Sequence, residues 1–182
     1  MKTLNCLLGT ALLLIGLATA SAQDKTNSTV SIGVYDSRAV AYAHFSSPAH
    51  QNALQERIAA AKAAKQSGDE AKFKEYSTAL QAEQAQIHRQ VFSTAPADDA
   101  MAAIKERLPE IQKQACVVAL VSKWDEAALS KYKTATRVDV TDQLVREFIQ
   151  PTEKQSKTIE GIEKSEPLPL EKCNELVREG KI

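Results

Sequence analysis

The chain predicts an α+β fold: a small body of β-strands, an antiparallel helical hairpin projecting from it as coiled-coil arms, and a C-terminal helix. Three observations predict it. Residues 30–35 (VSIGVY) and 115–121 (ACVVALV) are short apolar runs of strand length, the second strongly β-branched. Between them, from 49 to 91, apolar residues recur at steps of three and four, the period of a helix face. Ser67-Gly68-Asp69 breaks this helical stretch once, with Gly suited to end one helix and Asp to cap the next.

Residues 1–22 read as a secretory signal peptide. Lys2 gives a positive start, residues 7–17 an apolar run, and Ala20 and Ala22 the small residues a signal peptidase reads. The run is too short to anchor the chain, since a bilayer span needs about 20 residues. Cleavage is expected after Ala22, with Ala20 as second choice. Cys6 precedes the apolar core, so it is not placed as a lipid-bearing cysteine. The remaining chain, about 160 residues, is one domain with an extension, working outside the cytoplasm.

Within 23–150 the elements follow in order. A polar leader precedes the strand at 30–35, and 36–43 suits a short helix. Ser47 before Pro48 is a helix start, a cap with Pro at the first helical position. Leu54 and Ile58 mark one helix face, and Phe73, Tyr76, Leu80 and Ile87 the other. Both stripes are thin and flanked by Lys, Glu and Gln, which suits a two-helix seam. The arms occupy 48–113, ending in a segment where Asp98 and Asp99 favour a first helical turn and Pro109 splits the helix. The strand body takes 30–43 and 115–149, with Val30, Ile32, Val34, Val118 and Leu120 as its core. A short strand at 138–140 leads into a helix at 142–149 capped by Thr141. The Lys/Glu-rich stretch 151–182 reads as a loosely attached tail with a short helix near its end.

Composition narrows the function. Aromatic content is 5% and the formal net charge is zero, so no basic surplus drives nucleic-acid binding. No HExxH, GxSxG, P-loop or glycine fingerprint occurs. His44, His50 and His88 suit surface or packing roles, and Trp124 is either a wall of the body or an interface anchor. No catalytic, cofactor-binding or metal-ligating residue is therefore expected. Cys116 and Cys173 lack metal spacing and either form a disulfide in an oxidising compartment or remain separate thiols.

Three segments resemble the OmpH-like (Skp) family of periplasmic chaperones: SIGVYDSRAVAYA at 31–43, ACVVALVSKWDEAALSKY at 115–132, and RVDVTDQLVREF at 137–148. The resemblance implies a strand body that associates as a trimer, with arms surrounding unfolded outer-membrane or secreted proteins. It implies an ATP-independent, non-enzymatic, periplasmic holdase without cofactor or stable membrane anchor. The alternative is a structural or adaptor protein of the cell envelope whose hairpin docks one folded partner.

Overall fold

The computed structural model describes residues 30–182, so Ala20 and Ala22 lie outside the described residues. The fold is mixed, with helices packed around a small sheet. β1 (Ser31–Tyr35) runs into α1 (Ser37–Phe45), followed by α2 (Pro48–Ser67), α3 (Glu70–Phe92), α4 (Asp98–Ala103) and α5 (Leu108–Gln114). Then come β2 (Leu120–Ser122), α6 (Glu126–Ser130), β3 (Thr136–Asp139), α7 (Thr141–Arg146), α8 (Glu153–Lys164) and α9 (Leu170–Arg178). No helix among the described residues is long and apolar enough to cross a membrane.

β1 is the centre of the sheet, paired in parallel with β2 on one side and β3 on the other. Gly33 opposes Leu120 in one pairing and Val138 in the other. A Cβ built on Gly33 would stand 2.7 Å from Leu120 Cδ2 and 3.1 Å from Val140 Cγ2, so only glycine lets these side chains close over the central strand.

α1 is the hub. Asp36 caps it by accepting from Arg38 N, and Ser37 through Ala41, Ala43 and Phe45 are all buried. Val40, Ala41 and Phe45 join Tyr35, Val91, Ala100, Ile104, Val140 and Leu144 in the main core. Ala39 and Ala43 face a second cluster with Val145, Ile149 and Ile159. Small side chains let α7 and α8 approach α1 closely.

Ser47 caps α2 by accepting from His50 N, with Pro48 in the first turn, as the sequence predicts. Gly68 ends α2 in the left-handed conformation at φ 74°, and Asp69 caps α3 by accepting from Lys72 N. α2 and α3 pack along one another. The expected seam residues Leu54, Ile58, Phe73, Tyr76, Leu80 and Ile87 are half-buried, while the fully buried positions of α2 are Ala61 and Ala64.

Several expectations are corrected here. Of the predicted body core only Ile32 is fully buried; Val34 and Leu120 are half-buried. Val30 is 50% exposed, because it lies one residue outside β1, and Val118 is 63% exposed. The apolar run 115–121 is not one buried strand: Cys116 turns the chain at φ 54°, and β2 begins only at Leu120. Cys116 is exposed and Cys173 buried, and both are free thiols, so they do not pair. The stretch after Pro151 is not loose. Ile159 and Cys173 are buried, and Leu168 exchanges backbone hydrogen bonds with the end of α3, through Phe92 O at 2.9 Å and Thr94 N at 3.1 Å.

Candidate functional site

The carboxyl ends of β1 and β2 gather the most concentrated chemistry among the described residues. In open parallel sheets, ligands bind outside the carboxyl ends of the strands, and β1 here runs parallel to both β2 and β3.

Asp36 follows β1 directly and is 1% exposed. Its carboxylate accepts from Arg38 Nε at 3.2 Å and Nη2 at 3.0 Å, from Trp124 Nε1 at 3.2 Å, and pairs with Lys123 Nζ at 2.6 Å. Its backbone N–H donates to Thr141 Oγ1 at 3.0 Å, so α7 also fixes its place. Burial pushes the Asp36 carboxyl up, but hydrogen bonds from Arg38 and Lys123, and their charges, outweigh it and hold the group below its ordinary range. Trp124 lies beneath both cations, its ring centroid 4.9 Å from Arg38 Cζ and 4.7 Å from Lys123 Nζ. Trp124 thus packs on the charged cluster of the body's own chain.

A crevice of about 340 Å³ opens beside this cluster, lined by Tyr35, Pro96, Asp98, Ser122, Trp124 and Asp125 among others. Its walls come from the two strand ends, from the first turn of α4, and from the cap of α6, where Asp125 accepts from Ala128 N. The Tyr35 phenol is pushed up to about 12, first by burial and then by the negative charge of Asp98 and Asp125. The crevice thus joins aromatic walls to an electronegative mouth.

The histidines lie elsewhere. His44 and His50 lie tilted against one another with ring centroids 5.5 Å apart, flanked by Phe45 and Phe148. Burial, followed by the charge of His50, holds the His44 imidazole below its ordinary value, and Asp99 opposes the shift. His50 Nε2 stands 3.1 Å from Glu83 Oε1, an oxygen that also pairs with Arg57. His88 packs on Phe92 with centroids 5.7 Å apart.

None of Asp36, Arg38, Lys123 or Tyr35 was predicted as a site residue. The one signal available in the sequence was an acidic helix cap placed directly after a strand, with an arginine two residues on.

A family model described as Met-zincin, DUF4953, matches residues 17–175. No curated protein and no solved structure matches. The family match overturns the OmpH-like assignment and, with it, the holdase function, the adaptor alternative and the expectation of a non-enzyme. The name implies a zinc peptidase centre, which in such enzymes rests on a HExxH helix and a further ligand. The residues here do not fit one. HExxH is absent from the sequence, and the chain has three histidines. A cation placed at His50 and Glu83 would meet the Arg57 guanidinium. No group of three or more His, Cys, Asp or Glu among the described residues is arranged to hold a metal. The match nevertheless spans far more than half of the sequence, and on that ground the chain belongs to the Met-zincin family DUF4953.

Proposed function

We propose that this chain acts on polypeptides, the substrate class of its family's peptidases, and seats a Lys or Arg side chain of a polypeptide in the crevice at the carboxyl ends of β1 and β2. The observation that carries the reading is the pairing of Tyr35 and Trp124 with Asp98 and Asp125 around one opening of about 340 Å³. Aromatic walls receive the aliphatic stem of such a side chain, and carboxylates receive its charged head. Peptide-bond hydrolysis is not routed through any histidine of this chain.

In the same reading, α2 and α3 form an antiparallel hairpin with a coiled-coil seam, standing away from the sheet as a flank for a bound polypeptide. Export, with removal of residues 1–22, delivers the protein to the compartment where it works; N-terminal sequencing of secreted material tests that step.

Calorimetric titration with short peptides tests the crevice. A peptide with a central lysine should bind at least about tenfold more tightly than the same peptide with norleucine, and Asp98→Asn should erase the difference. Equal affinity for the two peptides would overturn the reading.

A further inference from the structure

Arg38 also borders a second pocket, of about 460 Å³, between α3, α8 and the segment that follows α8. Val91, Phe92, Ile162 and Leu168 supply apolar walls. The Arg38 side chain, 2% exposed, is the buried charge that lines it.

A guanidinium carries five N–H donors. In Arg38, Nε and Nη2 each give one to Asp36, and Nη1 gives one to Ser165 Oγ at 3.2 Å. The remaining two have no acceptor among the described residues. A buried donor without a partner is costly, and a ligand acceptor relieves that cost. Charge points the same way. The Asp36 carboxylate is shared by Arg38 and Lys123, and Glu163 lies within Coulombic reach of Lys123, so Arg38 has no counter-charge of its own. Glu166 on the rim opposes an incoming anion, but it is exposed and therefore screened.

Gly161 supplies an independent observation. It sits inside α8, where glycine costs about 1 kcal/mol relative to alanine. A Cβ there would meet nothing within 4 Å, so no neighbour requires glycine. Its effect is to leave the pocket open, since it forms part of the lining.

We propose that this pocket binds an apolar carboxylate, with its chain or ring on Val91, Phe92, Ile162 and Leu168 and its carboxylate on the free N–H groups of Arg38. A free fatty acid and the C-terminal residue of a peptide share that chemistry.

The full chain is titrated with octanoate by calorimetry. Octanoate should bind, octanamide should bind at least about tenfold more weakly, and Gly161→Leu, which has open space for its side chain, should lose octanoate by a similar factor with a Tm at or above that of wild type. Two peptides ending in leucine, one with a free carboxylate and one amidated, identify the source. If the free-carboxylate peptide binds more tightly than both octanoate and its amide, a peptide C-terminus occupies the pocket; if octanoate binds more tightly, a free acid does. No heat with octanoate up to millimolar concentration, equal affinity for octanamide, or undiminished binding to Gly161→Leu would each overturn the proposal.

Discussion

Lys123 Nζ stands 2.6 Å from Asp36 Oδ2, and this pair ties the end of β2 to the end of β1. Each residue follows its strand by one position, so the parallel register that sets Tyr35 opposite Ser122 brings the two charges together. Arg38 completes the arrangement from the first turn of α1.

Asp36→Asn should therefore be strongly destabilising. It leaves the buried Arg38 guanidinium without its counter-charge, a loss of about 3–5 kcal/mol for a broken buried pair. Urea unfolding at neutral pH reads it out. The pH dependence has a definite sign. The folded pKa of Asp36 lies below its ordinary value of 3.8, so the unfolded chain takes up the proton first as pH falls. The stability from this carboxylate is fully present above the ordinary value and is lost as pH drops through the lower folded one. Wild type should lose stability steeply below about pH 4, and Asp36→Asn should show a flatter profile there.

Gly33→Ala should destabilise through crowding. The new methyl would meet Leu120 and Val140 together, so neither can retreat without disturbing the sheet or the core. The expected cost is about 1–3 kcal/mol, seen as a lowered Tm. The α1 helix should keep its cap, because Asp36 still accepts from Arg38 N.

The same strands separate what the sequence displays from what it conceals. Helix limits were legible where local chemistry fixes them: Ser47 with Pro48 at one end of α2, and Gly68 with Asp69 at the other. The length of β2 was not. A continuous apolar run reads as a strand covered on both faces, yet Val117 is buried and Val118 exposed, so one face is open there. The attachment of the C-terminal stretch was not legible either, because Lys and Glu dominate its composition, although Ile159 and Cys173 fall on inward faces of α8 and α9. The site was concealed for another reason. Asp36, Lys123 and Ser165 are distant in sequence, and only the parallel pairing and the return of the chain after α8 unite them around Arg38.

Val118→Asp should consequently be tolerated, within about 0.5 kcal/mol of wild type, because the carboxylate reaches water. Val121→Asp should unfold the chain, because Val121 is 5% exposed and a carboxylate there has no partner. Circular dichroism melts of the two variants distinguish these outcomes directly.

The thiols should differ sharply in reactivity. Cys116 is exposed and should react with a disulfide reagent at the rate of a small-molecule thiol. Cys173 is buried, and burial pushes its thiol up, which lowers the thiolate fraction further. It should react only after denaturant is added. Reducing agent should leave Tm unchanged, since no bond joins the two.

The last prediction concerns the cooperativity of the C-terminal helices. Ile159 on α8 is 6% exposed and packs with Ala39, Ala43, Val145 and Ile149, so α8 shares a core with α1 and α7. Beyond it, Leu168 bonds to the backbone at the end of α3, and Cys173 is fully buried with its thiol near His88 O. These attachments reach the same helices that support β1. Ile159→Asp places an unpaired carboxylate among apolar side chains and removes contacts on α1, which should cost several kcal/mol, on the order of other buried unpaired charges. The loss should appear in the whole molecule. Hydrogen exchange should show β1 and α1 accelerating together with α8 in that variant. In the wild-type protein, the amides of α8 around Ile159 should be protected to within about tenfold of those in β1, as one cooperative unit requires. Rapid exchange through α8 and α9 with β1 unaffected would instead make them a separable appendage.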